Sequence, residues 1–224
     1  MFKIRTYNNI SDKGLSRLPA DHYEVGDAVA DPDAFLLRSQ KLSADDATTN
    51  LVAVGRAGAG VNNIPLAEYT GKGIVVFNTP GANANAVKEL VMAGLLLSCR
   101  GIILGIEYVN SLDGHEDKHE LNQLVEASKK QYKGRELKGR SLGILGLGAI
   151  GSMVADMALH LEMSVKGYDP ALSVEAAWRL SSRVERMESM SMLFGRSDIV
   201  TLHVPALDST RSMINAEALG QFRE

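Results

Sequence analysis

Short apolar runs recur along the first part of the chain, each closed by polar or turn residues: FKIRTY, HYEV, AFLLRS, NLVAVG and GIVVF. Runs of this kind, rich in Val, Ile and Leu and separated by helix-length stretches, predict parallel strands in βα units. The punctuation NTPG at 78–81 ends the series, and the following ANAVKELVMAGLLLSCRGIILGIEYV reads as one long helix. From Leu112 to Lys138 the chain turns polar, which predicts a solvated helix and connector. A second series then places strands in SLGILG, SVKGYD and DIVTLHVP, with a short closing helix in MINAEALGQFRE. The pattern is α/β, with a first domain over residues 1–79 and a second over 80–224.

Composition narrows the function classes. A net charge of −3 and an isoelectric point near 6.0 give no basic field for a nucleic-acid backbone, so small molecules are the expected partners. Cys99 is the single cysteine and cannot form an internal disulfide, and MFKIRTYNNISDK lacks an apolar targeting core. A cytoplasmic setting is therefore expected. The apolar segment from Leu90 to Gly105 is shorter than the roughly 20 residues a bilayer span needs, and Arg100 lies near its middle, so no membrane partner is expected. His115-Glu116-Asp117-Lys118-His119 spells the zinc-protease pattern H-E-x-x-H. It sits in the polar connector with no evident third ligand and reads as a solvated charged segment. No metal is expected.

Gly146, Gly148 and Gly151 give G-x-G-x-x-G directly after an apolar strand. The first glycine permits the tight turn, the second lets the backbone approach a pyrophosphate, and the third lets helix pack against strand. Ile150, Met153, Val154, Met157, Ala158 and Leu161 then recur on one helical face, so a helix N-terminus is turned toward the phosphates. Asp169 closes the next strand at about the 20-residue offset where a carboxylate accepts from ribose hydroxyls. A 2′-phosphate there meets like charge, which favours NAD over NADP.

Together, VGRAGAGVNNI, FNTPGANANAVKEL, GRSLGILGLGAIG, GYDP and SDIVTLHVPALDSTRSMIN resemble the NAD-dependent D-2-hydroxyacid dehydrogenases, from Phe35 to the end of the sequence. The resemblance implies two Rossmann-like parallel-sheet domains, substrate carried by the first and nicotinamide by the second. It implies that Ala149 and Ile150 join the glycines at the pyrophosphate, that His203 and Val204 line the nicotinamide side, and that Ala59 touches the cofactor. Arg56, Ala57, Gly58, Ala59 and Gly60 resemble the substrate-carboxylate cradle, whose small residues let amides face an anion. Arg38 and Arg56 fall where related enzymes hold the substrate's phosphate or carboxylate, a task suited to a planar guanidinium fork.

The implied partners are NAD, a small phosphorylated hydroxy acid, and a second copy in a homodimer or higher oligomer, with the long helix contributing. The family's catalytic Arg, Glu and His lie beyond the helix starting near Asn215, and the sequence ends at Glu224 before them. The second domain is thus expected to be incomplete at its C-terminus, and no residue present is assigned as catalytic. Another D-2-hydroxy acid as substrate, or a non-catalytic dinucleotide-binding module, stays open.

Overall fold

The computed structural model describes residues 1–115 and 117–222. Contacts divide the chain into two compact units, Met1–Asn83 with Pro205–Asp208, and Ala84–Val204 with the segment from Ser209 onward.

The first unit is built on five strands, β1 (Phe2–Thr6), β2 (Tyr23–Gly26), β3 (Ala34–Leu37), β4 (Ala53–Arg56) and β5 (Val75–Asn78). All neighbours pair in parallel, in the order β2-β1-β3-β4-β5. Every apolar run named from the first part of the sequence is thus a strand. The stretches between them are not full helices. Between β1 and β2 lies the four-residue α1 (Asp12–Leu15), between β4 and β5 the six-residue α2 (Leu66–Gly71), and between β2 and β3 only a turn. Phe35, Leu37 and Val54 point to one face of the sheet, where Leu42, Leu51, Ile64, Tyr69 and Ile74 close the core. The Tyr69 hydroxyl donates to the Ser43 carbonyl at 3.1 Å, and its pKa is pushed up to about 12, first by burial and then by the Asp46 charge.

The second unit opens with α3 (Ala84–Cys99) and α4 (Ile102–Ser111). These replace the single long helix expected from the sequence, because the axis bends by 61° at the break. A later segment packs against the break. The Arg135 amide caps the Cys99 carbonyl at 2.7 Å, and a side chain on Gly101 would meet the Tyr132 carbonyl oxygen at 2.7 Å. Gly134 lies at φ +65, and a β-carbon there would overlap the Cys99 carbonyl oxygen, so both the conformation and the space call for glycine. No single helix among the described residues is long and apolar enough to cross a membrane.

The polar stretch folds as α5 (Lys118–Ser128) followed by a 3₁₀ turn over Lys129–Tyr132. Tyr108 of α4 stacks on Tyr132 and donates to the Leu124 carbonyl at 3.0 Å, fixing α5 against α4. In the H-E-x-x-H stretch, Glu116 lies outside the described residues. Asp117 is the cap of α5, accepting from the His119 and Glu120 amides at 2.7 and 3.1 Å, which holds its carboxyl below the usual range. Among the described residues no three His, Cys, Asp or Glu side chains converge to hold a metal.

Strands β6 (Ser141–Leu145), β7 (Ser164–Tyr168), β8 (Glu185–Arg186) and β9 (Ile199–Leu202) form a second parallel sheet in the order β8-β7-β6-β9. The two-residue β8 carries no apolar run and has no signal in the sequence. Helix α6 (Ala149–His160) follows β6, and α7 (Val174–Arg179), α8 (Met190–Gly195) and α9 (Ala216–Leu219) complete the unit. Strand β6 is buried along its whole length, as expected of a parallel strand covered on both faces. Leu142, Ile144 and Val165 pack under Val154, Ala155 and Ala158 of α6 and Leu95 of α3, while Leu145 packs with Leu193, Phe194 and Ala218. The buried stripe of α6 is wider than the periodicity indicated, since Ala155 and Leu159 join it.

Candidate functional site

Binding groups converge at the carboxyl ends of β6, β7 and β9. Gly146 leaves β6 at φ +90, a region only glycine enters freely, and donates its amide to the Tyr168 carbonyl at 2.9 Å. A β-carbon on it would stand 2.7 Å from the His203 carbonyl oxygen and 3.1 Å from a Val204 methyl. The turn therefore brings Gly146, His203 and Val204 into contact. Gly151 has an equally tight place one helical turn on, where a β-carbon would overlap the Gly146 carbonyl oxygen.

Gly148 differs. It precedes α6 at φ −68, and a β-carbon there would meet nothing of the protein within 4 Å. The fold does not need glycine at this position. What the missing side chain leaves is open space over the start of α6. The helix ladder begins with the Ser152 amide donating to the Gly148 carbonyl at 3.0 Å, so the amides of Ala149, Ile150 and Gly151 have no acceptor inside the helix. A 12-residue helix adds a partial positive charge at the same point.

Asp169 follows β7 and faces this turn. Its Oδ2 accepts from the Leu147 amide at 2.8 Å and its Oδ1 from the Ala171 amide at 2.9 Å. Each oxygen keeps lone-pair capacity for a further donor. The carboxylate thus braces the glycine turn besides offering an acceptor, a function its spacing in the sequence does not reveal. His203 donates its amide to the Leu145 carbonyl at 2.7 Å, and its Nε2 lies 3.0 Å from Thr201 Oγ1. Burial lowers its pKa below the ordinary imidazole value, which favours the neutral ring. Open space over glycine, unsatisfied helix amides and a bracing acid fit the diphosphate and ribose of a dinucleotide.

The remaining sequence-derived residues gather in the first unit, beyond β3 and β4. Arg56 turns its guanidinium onto its own loop, with Nε donating to the Arg38 carbonyl at 3.0 Å and Nη1 donating to the Gly60 carbonyl. Its Nε and Nη1 therefore help shape the loop. The cradle also narrows. The Ala57 amide donates to the Leu37 carbonyl at 2.8 Å and the Gly58 amide to the Arg56 carbonyl at 2.9 Å, so neither faces an anion. The Ala59 and Gly60 amides have no acceptor among the described residues. Asn78, which is not among the expected site residues, holds the loop from β5 by donating to the Ala59 carbonyl at 2.7 Å. Arg38 is exposed and lines a groove of ≈ 710 Å³ with Ala57.

Residues 103–224 match the family described as D-isomer specific 2-hydroxyacid dehydrogenase, NAD binding domain. The chain is 37% identical over 204 residues to the hydroxypyruvate reductase of Thermotoga maritima, covering 90% of this chain and 60% of that one. It is 33% identical over 204 residues to the D-3-phosphoglycerate dehydrogenase of Methanocaldococcus jannaschii, covering 90% of this chain and 36% of that one. The chain thus spans under two thirds of the length of these relatives. The NAD⁺-bound 3-phosphoglycerate dehydrogenase of Entamoeba histolytica shares the fold at a TM-score of 0.73 and 24% identity, over 99% of this chain and 68% of that one. The chain belongs to the D-isomer specific 2-hydroxyacid dehydrogenases and carries their NAD-binding domain.

Proposed function

We propose that this chain supplies the substrate-holding and NAD-holding parts of a dehydrogenase that oxidises 3-phospho-D-glycerate to 3-phosphohydroxypyruvate, the reaction that commits carbon to serine. One observation carries the reading: an open glycine turn at the start of α6, braced by Asp169. The amides of Ala149, Ile150 and Gly151 hold the diphosphate, and Asp169 accepts from the adenosine ribose hydroxyls. His203 and Val204 line the nicotinamide side. NAD held there would supply the hydride acceptor for the carbon bearing the substrate hydroxyl. In the first unit, the Ala59 and Gly60 amides receive the substrate carboxylate within a loop that Arg56, Ala57 and Gly58 shape, while Arg38 presents its free guanidinium. The His203 Nε2 is engaged with Thr201 Oγ1, which suits a lining role. Leu90, Ile103, Leu104, Ile106 and Val109 are exposed on α3 and α4, which supports self-association into a homodimer.

A second reading, oxidation or reduction of an unphosphorylated D-2-hydroxy acid couple, is favoured by the similarity to the hydroxypyruvate reductase. Calorimetric titration tests the shared part. The chain is expected to bind NADH and to discriminate against NADPH. Replacing Asp169 by Ala removes a charged acceptor, a loss of about 1.5–3 kcal/mol, or roughly 10- to 100-fold in NADH affinity, and narrows the preference over NADPH. Folded chain that takes up no NADH would defeat the proposal.

A further inference from the structure

Two successive carbonyls of the loop after β4 are held from the end of β5. The Gly58 carbonyl accepts from the Thr79 amide at 3.0 Å, and the Ala59 carbonyl accepts from Asn78 Nδ2 at 2.7 Å. The next carbonyl, that of Gly60, accepts from Arg56 Nη1. The loop thus spends its acceptors on the protein and keeps donors free.

A peptide group is planar, and with no cis bond among the described residues each N–H points opposite to the C=O of the same group. Holding a carbonyl therefore aims the amide across that bond. The Gly58 carbonyl shares its peptide with the Ala59 amide, and the Ala59 carbonyl shares its peptide with the Gly60 amide. Both carbonyls turn toward the end of β5, so both amides turn away from it. These are the two amides of the loop that have no acceptor among the described residues. None of residues 56–61 lies at positive φ, so the loop lacks the alternation of hands by which a backbone alone makes successive amides converge. Glycine at 58 and 60 also leaves a backbone that has much freedom to lose when it is ordered. The holding has to come from outside the loop, and Asn78 supplies the one side chain of β5 that does it.

We infer that Asn78 is a positioning residue for the substrate carboxylate. It fixes the Ala59–Gly60 peptide so that the Gly60 amide meets the anion already oriented, while the Thr79 amide does the same for Ala59. The ordering cost is met in the folded chain rather than on binding. This rests on the reading above, in which those two amides receive the carboxylate, and names the group that orients them.

The experiment follows the amide resonances of the isotope-labelled 224-residue chain as 3-phospho-D-glycerate is added, and separately glycerol 3-phosphate, which carries the phosphate and no carboxylate. In wild type the Ala59 and Gly60 resonances are expected to shift with 3-phospho-D-glycerate and to stay in place with glycerol 3-phosphate. Asn78→Leu removes the donor at similar size. It is expected to weaken 3-phospho-D-glycerate about three- to tenfold, the range of one hydrogen bond, and to leave glycerol 3-phosphate unmoved. The Gly60 shift shrinks more than the Ala59 shift, because Thr79 still holds the Ala59 peptide. Asn78→Ser, polar but too short to reach the Ala59 carbonyl, behaves in the same way and guards against a leucine that disturbs β5. Equal losses for both ligands, as a general loosening of β5 would give, overturn the inference. So do variants that bind 3-phospho-D-glycerate as wild type does, or a wild type that binds it with Ala59 and Gly60 unmoved. A wild-type chain that does not bind 3-phospho-D-glycerate at all strikes the substrate reading itself, and the inference with it.

Discussion

Gly148 and Gly151 show how two glycines of one motif serve different ends. At Gly151 a methyl group would enter the Gly146 carbonyl, so the turn itself must shift to admit it. At Gly148 the same methyl meets nothing, and the backbone at φ −68 suits an L-residue. Gly151→Ala is therefore expected to cost stability, about 1–3 kcal/mol or more for overpacking against backbone. Gly148→Ala is expected to melt within a few degrees of wild type, losing only a fraction of the helix-cap preference. Its defect appears in binding, because the methyl stands in the space over the helix amides, and NADH affinity should drop tenfold or more. Thermal melts and calorimetry on both variants separate the two roles. If Gly148→Ala bound NADH as tightly as wild type, the open space over α6 would have no part in holding the diphosphate.

At the scale of elements, the break between α3 and α4 is where local pattern and tertiary structure meet. Leucines and isoleucines lie on both sides of Ser98-Cys99-Arg100-Gly101, and that interruption, with its glycine, is the local mark of the break. Tyr132, Gly134 and Arg135, about thirty residues downstream, pack against the break, with the Arg135 amide on the Cys99 carbonyl and the Tyr132 backbone close to Gly101. Gly101→Ala should force that backbone away, lowering the melting temperature by about 2–4 °C for each kcal/mol lost in a chain of this size. An unchanged melt would mean that Tyr132 yields freely at the break. The same distinction, between local marks and distant contacts, explains what was legible. Strand β3 is a contiguous apolar run, β1, β4, β6 and β7 are short stretches carrying Val, Ile or Leu, and the glycine turn with Asp169 is a local spacing, so both can be read from the chain. The Asn8 Oδ1 accepts from the Ser39 and Gln40 amides across about thirty positions, and Arg56 folding back on its own loop depends on side-chain direction, so neither leaves a trace in the pattern. The short crossovers of the first unit were obscured for another reason: polar stretches of similar length fit a helix or a turn equally well.

At the scale of the molecule, each unit has its own hydrophobic core. Phe35, Leu37, Val54 and Tyr69 belong to one cluster, while Leu142, Ile144, Val154 and Val165 belong to another. Units with separate cores open as separate cooperative blocks. A ligand held by one block stabilises that block by mass action, about 2.7 kcal/mol at a hundredfold excess over its dissociation constant. The proposed dinucleotide contacts lie chiefly at the ends of β6, β7 and β9 and the start of α6, all in the second unit. Hydrogen exchange with saturating NADH should therefore slow in β6, α6, β7 and β9, with roughly a hundredfold more protection where exchange requires opening of the whole block. Strands β1 to β3 should exchange as before, with any change in the first unit confined to the loop around Ala59. If protection rose equally across both sheets, the two cores would be acting as one cooperative block, and stability lost in the second unit by Gly151→Ala would then be felt in the first as well.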